Sequence, residues 1–239
     1  MSFTTLDIQA RCAALGHDPG PLDGVMGGRT KGAINAALEE SGGSDVADLF
    51  HSSGIVGLCM HWTAGAHGVI DLERRHYNGV TDNEGQRHWG KWSDLDQVRY
   101  RAGIRGASHT LNFNSRRLGY SMDCMAGANE RPFRAGSAPM TWDQVDGFTL
   151  WIAEKAVAYD LPATRTSIYT HSEVQPIFGI RQRWKWDINW LPDMDRPGNA
   201  IDVGDRLRAL IREKMDRVIH EVHHESPKAS QSLCFAHQP

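Results

Sequence analysis

The 239-residue chain has only four cysteines, Cys12, Cys59, Cys124 and Cys234, with no paired spacing and no C-x-x-C among them. That argues against a disulfide framework and predicts buried free thiols in a protein made in a reducing cytoplasm. Long apolar runs are missing too. A run such as Ile55–Met60 is far too short to cross a bilayer, so no stable membrane association is expected. The opening Met1-Ser2-Phe3-Thr4-Thr5-Leu6-Asp7 has neither a basic stretch nor an apolar h-region, which excludes a secretory signal there. Charge of one sign is also lacking: 26 Lys and Arg against 29 Asp and Glu give a net −3, leaving no global electrostatic case for nucleic acid. No internal repeat or low-complexity block is present. What remains is an ordinary balance, 40% apolar and 23% charged, able to build a sizeable core. Its length suits one large domain, or a medium domain with a small partner.

Residues 5–41 read as a small helical unit. Ile8, Cys12 and Leu15 recur at i, i+4 and i+7 and predict a short amphipathic helix that Gly16 stops. Asp18-Pro19-Gly20-Pro21 is turn punctuation. A second helix is expected with Thr30 as its N-cap and Ile34, Ala37 and Leu38 on one face. Glu40-Ser41-Gly42-Gly43-Ser44 then reads as a linker, placing a boundary at residue 44.

From residue 54 short apolar strands alternate with helices, which predicts an α/β sandwich with a central mixed sheet flanked by helices. Strands are expected at Ile55–Met60, Tyr77–Asp82, a partner through Trp89, Leu118–Met125 and Ser167–Tyr169. Helices are expected over Val69–His76 and Thr141–Tyr159, the latter capped by Thr141. Val203, Leu207, Leu210, Ile211, Met215, Val218, Ile219 and Val222 fall at helical spacing, and that helix is expected to pack on the rest of the unit spanning 45–224. Residues 225–239 read as a tail.

Three residues carry the chemistry. His61 stands at the exit of the first strand, His171 follows the last, and Asp187 arrives from a loop after it. Neighbouring strands lie about 4.8 Å apart, so side chains at their ends can converge on one ion. Two imidazoles and a carboxylate are a ligand set that a catalytic zinc takes while leaving a fourth position open. Lys185, two residues before the carboxylate, could meet a developing oxyanion.

His61-Trp62-Thr63-Ala64, Tyr77, the segment Ser108–Met122 and His171 with Lys185-Trp186-Asp187 together resemble the zinc N-acetylmuramoyl-L-alanine amidases, over about residues 54–192. That family includes phage lysozyme-amidases, bacterial muropeptide amidases and animal peptidoglycan recognition proteins. The resemblance implies zinc on His61, His171 and Asp187 and hydrolysis of the amide between N-acetylmuramic acid and L-alanine. It further implies that Lys185 stabilises the oxyanion and that Tyr77 orients the attacking water or relays a proton. His109, Asn114 and Trp186 are candidate substrate contacts, with Asn114 also suited to holding its loop through backbone hydrogen bonds. The proton donor to the leaving amine is open between Ser121, Asp123 and neither. The loop between His171 and Lys185 is longer than in the shorter family members.

Residues 5–41, with Asp23-Gly24, Gly27 and Thr30, resemble the small peptidoglycan-binding domains attached to many cell-wall hydrolases. Such a unit is small for independent stability and is expected to lean on its neighbour. The two resemblances together imply an endolysin-like, monomeric peptidoglycan hydrolase, made in the host cytoplasm and acting on the cell wall. A non-catalytic peptidoglycan-binding protein is the alternative. His220-Glu221-Val222-His223-His224 matches the helical zinc-protease signature H-E-x-x-H, but it stands at the end of the last helix with little chain left to build a cleft. Among the tryptophans, Trp184 and Trp186 flank Lys185 and are the pair suited to stacking on sugar; core packing is the commoner use.

Overall fold

Six successive buried residues, Gly57 to Trp62, form β1, the kind of strand that occurs only where both faces of a sheet are covered. A computed structural model describes residues 3–100 and 105–225, with side chains as far as residue 221. Before β1 come α1 (Thr5–Ala14), α2 (Gly28–Ser41) and a 3-10 turn (Val46–Leu49). After it come α3 (Asp71–His76), β2 (Gly79–Thr81), β3 (Arg87–Trp89), α4 (Asp94–Val98) and β4 (Arg117–Met122). The chain continues through α5 (Trp142–Ala158), β5 (Ile168–Thr170), α6 (His171–Phe178) and α7 (Ala200–Glu225). The strand order is β3-β2-β4-β1-β5, parallel throughout except for the antiparallel β2–β3 edge. The mixed sheet flanked by helices is thus the architecture expected from the alternation. Among the described residues no helix is long and apolar enough to cross a membrane.

Alternation along the strands gives the two faces different jobs. Leu58, Met60 and Trp62 of β1 join Leu118, Tyr120 and Met122 of β4 in a large apolar core beneath α5 and α7. Val203, Leu207 and Ile211 of α7 enter that core at helical spacing, and α7 packs against α5. The opposite residues, Cys59 and His61, face the other layer. There Cys59 packs with Ala10, Phe113, Tyr169, Val174 and Phe178.

The first helix belongs to this second layer. Asp7 of α1 accepts from Arg117 of β4 at 2.5 Å with both side chains buried, and Arg11 reaches the Leu49 carbonyl at 2.5 Å and the Asp160 carboxylate at 2.7 Å. The apolar cluster between α1 and α2 takes in Leu49 and Phe50, so it runs past residue 44. Thr30 is not the cap expected of it. Gly27 is the N-cap of α2, and Thr30 is buried in the first turns, donating to the Pro19 carbonyl at 3.0 Å. Thr141 does cap α5, through the Gln144 amide at 3.1 Å. Tyr77 closes α3 rather than opening a strand, and the stretch after His171 is helical where loop was expected. Cys12, Cys59 and Cys124 are buried free thiols; Cys234 and the expected tail, apart from the helical backbone of Glu225, lie outside the described residues.

Candidate metal centre

His61, the fifth residue of β1, is fully buried and pairs across the sheet with Ser121 of β4. β5 ends at Thr170, whose amide donates to the Glu173 carboxylate at 2.8 Å, and this turn starts α6 with His171 as its first residue. Asp187 is fixed from behind, because its carbonyl accepts the Ser172 amide at 2.7 Å. The three side chains meet. His61 Nδ1 and His171 Nδ1 each lie 3.1 Å from Asp187 Oδ2, at 0%, 4% and 6% exposure for the three residues in that order. Donor atoms held about 2.0–2.1 Å from one tetrahedral centre lie roughly 3.3 Å apart, so the spacing fits a zinc-sized ion.

The outer nitrogens make the fit sharper. His171 Nε2 lies 2.9 Å from Gln182 Oε1, and the Gln182 amide nitrogen is committed to the Leu111 carbonyl at 2.9 Å. A carbonyl only accepts, so Oε1 must be the atom facing the ring, and it demands a proton on Nε2. His61 Nε2 lies 3.1 Å from His109 Nδ1, while His109 Nε2 faces the Arg117 carbonyl at 3.2 Å. His109 therefore carries its proton on Nε2 and accepts from His61 with Nδ1. Both outer partners favour Nε2–H, which leaves two bare Nδ1 lone pairs and a carboxylate facing one another. Such an arrangement is repulsive unless a cation sits among them.

The titration directions agree. Burial lowers the pKa of His61 to about 4, against the opposing hydrogen bond from Asp187. Burial also opposes charge on His171, but the Asp187 carboxylate outweighs it and the pKa is raised. Asp187 is buried as well, yet the two imidazoles hold its carboxyl well below the usual range. The Asp187 carboxylate thus favours positive charge at the place where a metal cation would stand.

Cys59, His61 and His109 form a second buried group whose donor atoms could hold a metal, on the far side of the His61 ring. His171 and Asp187 of the first group line a cleft, which His109 of the second group also borders. Trp62, Thr63, Ala64, Tyr77, Lys185 and Trp186 complete its lining, around a cavity of about 140 Å³. Lys185 is exposed at the rim, near enough for its charge to lower the pKa of both ligand imidazoles. The Tyr77 ring lies 5.2 Å from that of His61, and burial followed by the Asp187 charge raises the phenol's pKa, so it keeps its proton.

The other expected contacts, His109, Asn114 and Trp186, all line this cleft or the cavity beside it. His109 lines the cleft, but both its ring nitrogens are used inside the protein, so it orients His61. Asn114 holds the loop, its Oδ1 accepting the His109 amide at 3.0 Å and the Thr110 amide at 2.7 Å. Trp186 is half-buried, edge-on to Trp62 at 4.6 Å, whereas Trp184 is 87% exposed. Asp123 is buried, and its oxygens accept from the Gly68 amide and the Gln144 side chain, both at 2.7 Å. His220 and Glu221 lie exposed near the end of α7, and the side chain of His224 is outside the described residues.

Three contributors carry no sequence signal of their own. Gln182 is a single polar residue in a loop. Gly119 pairs with Cys59 in the sheet, and a Cβ there would fall 2.2 Å from the His109 ring, so only glycine lets that imidazole lie flat on β4. Arg208 of α7 donates to both oxygens of Glu173, at 2.9 and 2.7 Å, securing the turn that presents His171. Comparison of the chain with protein-family models, with curated proteins and with solved structures gave no match.

Proposed function

We propose that the chain is a zinc-dependent N-acetylmuramoyl-L-alanine amidase, a peptidoglycan hydrolase of the endolysin type. The observation that carries this reading is the convergence of His61 Nδ1, His171 Nδ1 and Asp187 Oδ2 at the floor of a cleft rimmed by Lys185 and Tyr77. Zinc, when bound by these three residues, supplies Lewis-acid polarisation of the scissile carbonyl and lowers the pKa of water. The protein's own groups do the rest. Lys185, with no ion-pair partner among the described residues, turns its ammonium toward the oxygen on which negative charge develops. Tyr77, held protonated, donates a hydrogen bond to the reacting centre. His109 and Gln182 keep both ligand imidazoles in one tautomer and one orientation.

The helices α1 and α2 are proposed to bind the wall. In support, Gln9 ties Asp23 and Thr30 together around a surface cavity lined by Pro19, Pro21, Val25 and Arg29. The test is release of new L-alanine N-termini from purified peptidoglycan by the zinc-loaded protein, with Asp187→Ala and His220→Ala beside it. Loss in Asp187→Ala alone supports the amidase. No release by the intact zinc-loaded protein overturns it.

A further inference from the structure

Next to the metal cleft lies a larger cavity of about 440 Å³, sharing His109, His171 and Lys185 with it as a common wall. Its remaining sides include Tyr100, Ser108, Asn112, Gln182 and Arg183. Its charged lining is one-sided: Arg183 and Lys185 line it, and no Asp or Glu does among the described residues. Both cations are exposed, and neither side chain has an ion-pair or hydrogen-bond partner among the described residues. Elsewhere the protein commonly pairs its arginines, as with Arg87 and Glu154, Arg165 and Asp205, or Arg206 and Asp193, and the chain is net −3 overall. Unpaired positive charge concentrated in one concave place on an acidic protein favours an anionic ligand there.

The backbone points the same way. Arg183 and Trp184 are consecutive non-glycine residues with φ of 53° and 59°, the left-handed region that L side chains rarely adopt. Gln182, anchored by Gln175 and Leu111, fixes the loop just before them, and the Ser172–Asp187 hydrogen bond fixes it after. Strain persists only where surrounding contacts over-determine it, and it clusters where a ligand is clamped. Here its effect is to put Arg183 on the cavity wall and leave the Trp184 indole in solvent.

We infer that Arg183 forms a carboxylate subsite, which selects substrates whose peptide arm carries a free acid one cavity away from the cleaved amide. The inference rests on the proposed amidase reading for the identity of the substrate, but its binding test does not need turnover. A planar guanidinium matches a carboxylate through two parallel N–H···O bonds, a geometry that a carboxamide cannot accept in full and a lysine cannot reproduce.

The experiment uses the full zinc-loaded chain and two probes: N-acetylmuramoyl-L-alanyl-D-glutamate with its carboxylates free, and the same molecule with both converted to carboxamides. Binding by calorimetry and cleavage are read for wild type, Arg183→Gln and Arg183→Lys. The expected result is about ten-fold tighter binding of the acid by wild type, in line with a charge-assisted pair. That preference shrinks to within about two-fold in Arg183→Gln, is partly kept in Arg183→Lys, and leaves affinity for the diamide unchanged. Equal affinity of wild type for both probes overturns the subsite, as does a preference that survives in Arg183→Gln. Arg183-dependent selectivity without cleavage sinks the amidase and keeps the subsite; cleavage without selectivity does the reverse.

Discussion

The two faces of the sheet are built from the same strands and obey different rules. Beneath α5 and α7, β1 contributes Leu58, Met60 and Trp62 to a dry apolar core, where shape and volume decide stability. On the other face the intervening residues, Cys59 and His61, belong to a layer that buries polar pairs: His61 with His109, His171 with Gln182, Asp7 with Arg117. A substitution on the first face costs a cavity. One on the second leaves a buried polar group without its partner, and the loss is expected at the candidate metal site as well as in folding.

The strongest way to break this comparison is to cut each face once. On the proposed amidase reading, Asp187→Ala is expected to reduce turnover to background and to leave the protein without stoichiometric zinc, measured by metal analysis after gel filtration. Met60→Ala should instead lower unfolding free energy by about 2–5 kcal/mol while the folded fraction keeps its zinc and its kcat. If Met60→Ala emptied the metal site, the faces would not be independent.

Gly119→Ala sharpens the boundary between them. Its Cβ would collide with the His109 ring, so the imidazole must move, at about 1–3 kcal/mol of overpacking together with weakened zinc affinity. Circular dichroism melts and competition with a zinc chelator report the two losses separately. Removing the same ring without a clash, by His109→Phe, should cost about 10–100-fold in zinc affinity with turnover restored at saturating metal. A lasting kcat defect under saturating zinc would instead make His109 a group that touches substrate.

The smallest effect expected is on pH dependence. His171, with its pKa raised above 6.5 by Asp187, stabilises the metal-free protein fully below that value and loses the contribution as pH rises through the folded pKa. Asp187, depressed from 3.8, contributes above that value and loses it as pH falls. Chelated protein should therefore be best supported by this pair between 3.8 and 6.5, and its Tm should fall more steeply than that of zinc-loaded protein as pH rises above 6.5. Parallel slopes would show that another group governs the trend.

The sequence made legible what depends on periodicity and punctuation. The α7 stripe, the Thr141 cap and the alternation of strands with helices each follow from local chemistry, and they brought His61, His171 and Asp187 to one end of the sheet. What stayed hidden depends on partners far apart in the chain. Nothing in a run of residues says that Gln182 will hold the His171 ring, or that His109 will spend both ring nitrogens inside the protein. The α6 helix escaped because Pro176 interrupts its pattern and it is only eight residues long. Thr30 looked like a cap because threonine often is one. Burial against Gln9 and Pro19 gave it a different use.

The Arg208–Glu173 pair has a meaning for the order in which the molecule is made. Glu173 is fully buried beneath the turn that presents His171, and its neutralising guanidinium sits on the last helix, with Gly204 so close that a Cβ would fall 2.2 Å from the carboxylate. Until α7 has left the ribosome and docked, that carboxylate has no cation and the turn has no floor, although all three candidate ligands have already been synthesised. An unfinished or truncated chain thus carries the ligands without the site, and the capacity to hold metal arrives with the final helix.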